Sequence, residues 1–360
     1  MAPRRRHYAM WMFTAACPSR CAYCDLDSQR RLGRLDREEV VRVARELLAL
    51  GFGEVMFAGG EPLLSPDLPA ALEVLRGRVS TTVFTGGLPG MAERAVGVLA
   101  EGGVDRLVCS MDSGDAARND RIRGRVGITR ELVAFAARVR ERLPRLGRSI
   151  NTVVSRANVD TVADVWERMA PYGFRSWSLT LAGDFFESSP THAFLDRAAL
   201  ARFYLVTVPA LARRLAAVGA ELVVLPVPYP FLAGQVPLAR WGEAAVGVRD
   251  ELDAEFERYA RGEFNRSFVE RCGCPLVGMD IVLGVGGQVH PCSQAPIIHP
   301  DYVVGNVKTA SLADIVDGDA VRAFAEGVPH KPCVRCWAPS NVPRDVLVRL
   351  TAAPRVASSS

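Results

Sequence analysis

Three cysteines near the start of the chain are spaced so that their thiolates could hold a metal group. Cys17, Cys21 and Cys24 form the pattern CxxxCxxC. Zinc sites and bacterial ferredoxins use CxxC pairs instead, and a fully ligated 4Fe-4S cluster needs a fourth thiolate, which residues 1–60 do not contain. The spacing therefore predicts three metal ligands for a 4Fe-4S cluster whose fourth iron is open to chemistry.

A glycine pair follows the next apolar segment. Gly59, Gly60, Glu61 and Pro62 come directly after the short apolar run 54–58, which is typical of a buried parallel strand. Glycine permits positive φ and close backbone approach, so this strand end can present backbone groups to a ligand. A branched side chain at Gly60 is expected to occupy the ligand's space while leaving metal ligation intact.

Together, these motifs resemble the radical S-adenosylmethionine (SAM) superfamily, in which an aromatic residue such as Tyr23 usually precedes the third cysteine. The resemblance implies that the open iron chelates the amino and carboxylate groups of SAM. It also implies a set of SAM-binding residues at the strand ends: Tyr23, Gly59, Gly60, Glu61, Pro62, Ser110, Asp112, Arg123 and Asn151. Alternatives stay open for three of them, because Asp112 could pair with Arg123, and Ser110 and Asn151 could satisfy only backbone groups.

A second group of cysteines lies near the C-terminus. Cys274, Cys292, Cys333 and Cys336 can supply four thiolates, with Cys292 delivered by a β-hairpin over residues 282–290. Spacing alone does not distinguish zinc from iron and sulfide. Beside a radical SAM core, the pattern resembles the twitch domain, a shortened SPASM domain, which implies one auxiliary 4Fe-4S cluster. No cysteine follows Cys336, so a second auxiliary cluster lacks ligands.

Two further residues are candidates for catalysis. Cys272 could replace Cys274 as a ligand, donate a hydrogen atom, or have no role. Asp184, with Glu187, follows the sixth predicted strand and could orient a substrate, although loop carboxylates are common at surfaces. Cys109 lies within an apolar strand and is expected to be a small core residue.

The elements that must position these residues alternate along the chain. Helical patterns separate six predicted strands, and the first helix begins at a capping box formed by Asp36 and Glu39. The strands are predicted at 8–14, 53–58, 79–84, 105–110, 148–154 and 175–181. Periodicity allows either an open doubly wound sheet or a barrel. The family resemblance implies an α/β fold, a partial (β/α)6 TIM-type barrel, with its site at the carboxyl ends of the strands.

We predict four segments. Residues 1–190 form the barrel, 191–269 a helical connector with a proline-rich interruption at 225–231, 270–345 the twitch domain, and 346–360 a tail. In the connector, Tyr229, Phe231 and Trp241 are candidates for substrate contact, with core packing as the alternative.

The composition indicates which partners and which cellular compartment to expect. The chain has 360 residues, 49% of them hydrophobic, and a formal net charge of +4, which gives no reason to expect nucleic acid as a partner. No stretch approaches 18 uninterrupted apolar residues, so no membrane span is expected. The nine cysteines are odd in number and grouped by ligand spacing, which favours a reducing cytoplasm over a secreted disulfide framework.

The family resemblance implies reductive cleavage of SAM and hydrogen abstraction from a substrate carbon, with flavodoxin or ferredoxin as electron donor. Our main hypothesis is an oxidoreductase or epimerase of antibiotic biosynthesis, acting on a small-molecule substrate: a sugar, aminocyclitol or nucleoside. The alternative is a maturase that cross-links or epimerises a ribosomal peptide substrate. A third hypothesis is a non-catalytic iron-sulfur electron-transfer protein.

Overall fold

A ten-stranded sheet organises the part of the chain that the computed structural model describes, residues 6–24, 30–88, 90–183, 193–293 and 302–337. Its order is β10-β9-β8-β1-β2-β3-β4-β5-β6-β7. Strands β1 to β7 are parallel neighbours, so the six predicted strands are confirmed. The strands are β1 Tyr8–Thr14, β2 Glu54–Gly59, β3 Ser80–Thr85, β4 Arg106–Ser110, β5 Gly147–Val154, β6 Ser176–Leu181, β7 Glu221–Leu225, β8 Ile281–Leu283, β9 Gln288–His290 and β10 Gly305–Asn306.

Helices connect the parallel strands, as the α/β prediction requires. The capping box at the first helix is present, because Glu39 N donates to Asp36 Oδ1 at 2.9 Å and Asp36 N donates to Glu39 Oε2 at 2.8 Å. The helices are α1 Arg37–Ala49, α2 Leu68–Leu75, α3 Ala92–Gly102, α4 Ala116–Ile122, α5 Ile128–Arg142, α6 Asp164–Met169, α7 Arg197–Arg202, α8 Val208–Ala217, α9 Tyr229–Ala233, α10 Trp241–Ala244, α11 Arg249–Ala260, α12 Arg266–Cys272, α13 Leu312–Val316 and α14 Asp319–Glu326.

The connector differs from the prediction. It is not helical throughout, because Glu221–Leu225 forms β7 and pairs in parallel with β6. This run is only five residues long, and periodicity does not separate so short an apolar run from part of a helix. The open edge of β6 supplies the backbone partners that make it a strand.

The connector aromatics are mostly core residues. Phe231 and Trp241 are each about 1% exposed and stack with their ring centroids 4.9 Å apart. Of the two alternatives for these residues, core packing is the one observed, because other side chains cover both rings. Tyr229 is partly exposed at the start of α9.

The C-terminal segment joins the same sheet. Strand β8 pairs in parallel with β1, with Ile281 opposite Ala9, and β9 returns antiparallel to β8 as the predicted hairpin. Residues before β8 and after β9 therefore lie near the amino end of β1, whereas the CxxxCxxC loop follows its carboxyl end. Seven residues separate these ends, a length of roughly 20 Å.

Among the described residues, we find no helix with both the length and the apolar character needed to span a bilayer.

Candidate functional site

A cavity of about 280 Å³ lies where the carboxyl ends of β2 to β5 meet the loop after β1. The three cysteines of the first motif all line it, with six of the predicted SAM-binding residues: Tyr23, Gly59, Gly60, Ser110, Arg123 and Asn151. Phe84, Thr85 and Val153 also line it. Glu61, Pro62 and Asp112 were predicted to bind SAM but are absent from its lining.

The glycine pair fastens β2 to the segment that leads into the cysteine loop. Gly60 N donates to Thr14 O at 2.5 Å, and Glu61 N donates to Ala16 O at 2.7 Å. Gly59 has φ +112°, and a Cβ on Gly60 would overlap the carbonyl of Ala16. Close approach is thus required as predicted, but the group that approaches is the chain's own backbone just before Cys17.

We therefore expect Gly60→Val to displace the cysteine loop, and not only to obstruct SAM. Overpacking against fixed backbone costs about 1–3 kcal/mol, so cluster iron at the first site should fall along with SAM binding. Gly97→Ala in α3 is the matched control, because a Cβ there meets nothing within 4 Å. Iron analysis of both reconstituted variants checks this, and a Gly60→Val chain with full iron and no SAM binding would restore the simpler steric explanation.

Glu61 is buried behind the cavity wall. It is 1% exposed, and its Oε2 accepts from Thr85 Oγ1 at 3.0 Å and from Gly86 N at 2.8 Å. Its Oε1 is buried without a hydrogen-bond partner. Burial raises the pKa of this carboxyl to about 7, although the hydrogen bonds from Gly86 and Thr85 oppose the rise.

This raised pKa predicts that pH affects the stability of the metal-free chain. The folded state holds the Glu61 proton up to about pH 7, whereas the unfolded state loses it near 4.5. The free energy of unfolding should therefore fall, by on the order of 3 kcal/mol, as pH rises through that window. Glu61→Gln cannot titrate and should remove this component. Denaturant unfolding of both chains at several pH values measures it, and parallel pH profiles would contradict it.

A hydrogen-bond network joins Tyr23 and Arg123, which line the cavity, to the buried Asp112. The Tyr23 hydroxyl donates to Asp112 Oδ2 at 2.6 Å, and Arg123 Nη1 donates to the Tyr23 oxygen at 2.8 Å. Arg123 Nη1 also lies 3.3 Å from Asp112 Oδ2, and Val153 N donates to Asp112 Oδ1 at 2.9 Å. Asp112 is fully buried with both oxygens bonded to protein. The Asp112–Arg123 pairing that the sequence left open is therefore formed.

The side chains at the cavity have the chemistry needed to bind SAM and a 4Fe-4S cluster. Two buried polar atoms close to it lack protein partners, Glu61 Oε1 and Arg123 Nε. A carboxyl oxygen and a guanidinium nitrogen suit the amino and carboxylate groups of an amino acid. Three thiols on one loop suit a cluster with one open iron. Among the described residues, no three cysteine, histidine or carboxylate side chains surround one point closely enough to hold a single metal ion.

The C-terminal cysteines converge at the other end of β1. Cys274 and Cys336 belong to one small hydrophobic cluster of side chains with Leu276 and Phe268. Burial raises the pKa of Cys274 to about 11, and the neighbouring Cys333 adds to the rise. Cys274 therefore needs a neighbouring cationic group, such as a metal, to become a thiolate near neutral pH.

The remaining two C-terminal cysteines lie in the same region. Tyr8 at the start of β1 is near enough to Cys292 and Cys336 for the charged forms of these groups to interact. Asn265 Nδ2 donates to Cys333 O at 3.0 Å and thereby anchors the CxxC turn. All four predicted auxiliary ligands thus lie in one region, and their donor set fits an iron-sulfur cluster.

The two catalytic candidates have different outcomes. Cys272 is partly buried, with its Sγ 4.0 Å from the Tyr229 hydroxyl, and it packs against the small hydrophobic cluster that contains Cys336. It does not line the first cavity, so neither the cavity nor its contacts assign it a role in hydrogen transfer. Asp184 and Glu187 lie outside the described residues.

Two further residues support this site, and the sequence indicated only one of them. Asn158 is buried, and its Nδ2 donates to Asp112 O at 2.7 Å and to Val153 O at 2.8 Å. Gly124 approaches the loop so closely that a Cβ would overlap Arg20 O. Gly124 carried a signal in its Arg-Gly dipeptide, whereas nothing in the local sequence of Asn158 indicates its contacts.

Comparison with protein families identifies both parts of the chain. A family model described as "Radical SAM superfamily" matches residues 11–183, and one described as "Iron-sulfur cluster-binding domain", the SPASM domain, matches residues 274–337. The second match begins at Cys274, two residues after Cys272.

Curated relatives cover part of the chain. A PqqA peptide cyclase of Methylorubrum populi is 30% identical over 194 residues, which are 52% of this chain and 47% of that protein. One of Streptomyces rochei is 34% identical over 150 residues, 41% of this chain and 40% of that protein. The chain thus spans about half the length of the curated relatives it matches.

Solved structures share the fold across most of the chain. Streptococcus suis SuiB bound to the precursor peptide SuiA has a TM-score of 0.63 at 14% identity, over 93% of this chain and 72% of that one. anSMEcpe with bound AdoMet and the Cp18Cys peptide has a TM-score of 0.62 at 16% identity, over 93% and 87%. This likeness confirms the α/β partial-barrel fold.

The two matched regions therefore account for two cofactor sites. The first holds a 4Fe-4S cluster that binds SAM, at the carboxyl end of β1, and the second holds an auxiliary cluster near the amino end of β1. The chain belongs to the radical SAM superfamily and carries a C-terminal SPASM-type domain for an auxiliary iron-sulfur cluster.

Proposed function

We propose that this radical SAM enzyme modifies a peptide, by removing a hydrogen atom from one of its carbon atoms. The observation that carries the proposal is the 30% identity over 194 residues to proteins named PqqA peptide cyclase. This favours the peptide maturase hypothesis over the small-molecule hypothesis that we placed first. The likeness to SuiB and anSMEcpe shows a shared fold and adds nothing about substrate.

The residues of the first cavity have distinct tasks in this proposal. Cys17, Cys21 and Cys24 hold the cluster, which together with SAM supplies a 5′-deoxyadenosyl radical. Ser110 and Asn151 offer hydrogen-bonding groups at the strand ends, where SAM or substrate can be oriented.

Apolar side chains complete the cavity wall. Phe84 and Val153 line it and exclude water and stray hydrogen donors from the reacting atoms.

The auxiliary site serves a separate task. Cys274, Cys292, Cys333 and Cys336 would together ligate an auxiliary 4Fe-4S cluster, which would supply electron transfer. The length of β1, roughly 20 Å, keeps this site apart from the SAM-binding loop. A peptide carbon would react at the first cavity, and an external flavodoxin or ferredoxin would supply the electron for SAM cleavage.

Deuterium transfer tests the proposal. The full chain is reconstituted anaerobically and incubated with SAM, dithionite and peptides encoded beside its gene, each deuterated at carbon. Sugars, aminocyclitols and nucleosides deuterated at carbon form the comparison set. Mass spectrometry then follows deuterium into 5′-deoxyadenosine and any mass change of the substrate. For a cross-link, the peptide loses two hydrogens, one as the abstracted atom and one as a proton, with one electron passed to an acceptor.

We expect deuterated 5′-deoxyadenosine with a peptide substrate and none with the small molecules. Deuterium transferred from a sugar, aminocyclitol or nucleoside, with none from peptides, would return the small-molecule hypothesis to first place.

A further inference from the structure

The hydroxyl of Tyr23 joins the cysteine loop to the segment that follows β4. Tyr23 lies between Cys21 and Cys24, on the loop after β1, whereas its acceptor Asp112 follows β4, 89 positions along the chain. A single O–H group thus connects two distant segments that both border the cavity.

Asp112 is a fixed partner for this hydroxyl. Its side chain accepts from Val153 N, its backbone N donates to Asn119 Oδ1 at 2.8 Å, and its carbonyl accepts from Asn158 Nδ2. Because Asp112 is fully buried and bonded at side chain and backbone alike, it moves little. The loop that carries Tyr23 is therefore attached to a well-anchored residue.

The remainder of the loop is attached through backbone groups. Arg20 N donates to Arg123 O at 3.1 Å, and Ala22 N donates to Ile122 O at 2.9 Å. These bonds lie on either side of Cys21. The Tyr23 hydroxyl is the attachment that follows them, just before Cys24.

Arg123 takes part in the same network. Its guanidinium donates to the Tyr23 oxygen and pairs with Asp112, while the side chain lines the cavity. Without the Tyr23 oxygen, Nη1 keeps only the contact to Asp112 at 3.3 Å, and the guanidinium is less firmly oriented. Removing the Tyr23 hydroxyl therefore affects both the cysteine loop and the orientation of Arg123 at the cavity.

We propose that the Tyr23 hydroxyl is a positioning group: through Asp112 it fixes the cysteine loop, and through Arg123 it orients the cation that faces the cofactor. If the residue mattered only as an aromatic cover for the cluster, phenylalanine would replace it without loss. This inference rests on the cofactor site and not on the peptide proposal, and its readouts need no substrate.

Tyr23→Phe is the direct test, in the full chain. In the metal-free chain, we expect iodoacetamide to alkylate Cys21 and Cys24 faster, as mass spectrometry of peptides can follow. In the reconstituted chain, we expect roughly tenfold weaker SAM binding by calorimetry, the scale of one hydrogen bond to a charged group, and a smaller SAM-induced change in the electron paramagnetic resonance of the reduced cluster.

Tyr259→Phe is the matched control. The Tyr259 hydroxyl is also buried but has no hydrogen-bond partner, so its removal should change none of the three readouts. Retention of auxiliary-cluster iron in both variants shows that the chain remains folded.

A double-mutant cycle with Asp112→Asn tests whether Tyr23 acts through Asp112. If it does, Tyr23→Phe should add little to the loss of SAM affinity in Asp112→Asn, because interacting residues are not additive. Additive losses would overturn the proposal. So would wild-type alkylation rates, SAM affinity and resonance spectra in Tyr23→Phe.

Discussion

Alanine at Cys17, Cys21 and Cys24 together is expected to abolish SAM cleavage while leaving the auxiliary cluster in place. The three thiols line one cavity at the carboxyl end of β1, and the C-terminal cysteines lie near its amino end. Iron should therefore fall from about eight to about four atoms per chain. Iron and sulfide analysis, with chromatography of 5′-deoxyadenosine, measures both effects.

The auxiliary site provides the internal control for this result. Its four cysteines lie outside the first cavity, so their iron should survive and hold the C-terminal segment folded. Zinc in place of the second set of iron atoms would contradict the auxiliary-cluster assignment. So would an unaltered wild-type chain with only one cluster.

Replacing Cys333 and Cys336 with alanine is expected to separate SAM cleavage from product formation. If the auxiliary cluster accepts an electron after hydrogen abstraction, the variant should still make some 5′-deoxyadenosine but no finished product. Cys336 is buried beside Cys274 in the small C-terminal cluster, so loss of the metal also threatens local folding. Circular dichroism and the iron content of the first site must be measured on the same preparation.

Cys272→Ala is the matched variant for this experiment. Cys272 packs beside the same hydrophobic cluster, and its Sγ lies 4.0 Å from the Tyr229 hydroxyl. The match to the iron-sulfur cluster-binding domain begins after Cys272. The Cys272→Ala variant should keep both iron-sulfur clusters. Loss of the auxiliary iron in this variant would show that Cys272 is a ligand. A folded Cys333/Cys336 variant that keeps the first cluster and forms product at the wild-type rate would show that the second site is only structural.

The sequence determined the chemistry of this protein and much of its local structure. Ligand spacing depends only on neighbouring residues, so Cys17, Cys21 and Cys24 could be recognised without a fold. The same holds for the capping box of Asp36 and Glu39 and for the alternation of apolar runs with helical patterns. These local signals predicted six parallel strands, and the structure contains them.

Tertiary structure decided which of the candidate residues meet, and where. The connector strand β7 exists because β6 offers an open edge, and β8 carries the C-terminal cysteines to the amino end of β1 because it pairs with that strand. Neither partner is visible in a local pattern, since backbone hydrogen bonding between strands has no sequence code of its own.

The same reason explains the roles of individual side chains at the cavity. Asp112 looked equally suited to hold SAM or to pair with Arg123, and its burial with both oxygens occupied shows the pairing. Gly60 was expected to make room for a ligand, whereas the group it admits is Ala16 of the same chain. Residue type and spacing fixed which groups could do chemistry, but contacts between distant segments decided which of them face the cofactor and which hold the others in place.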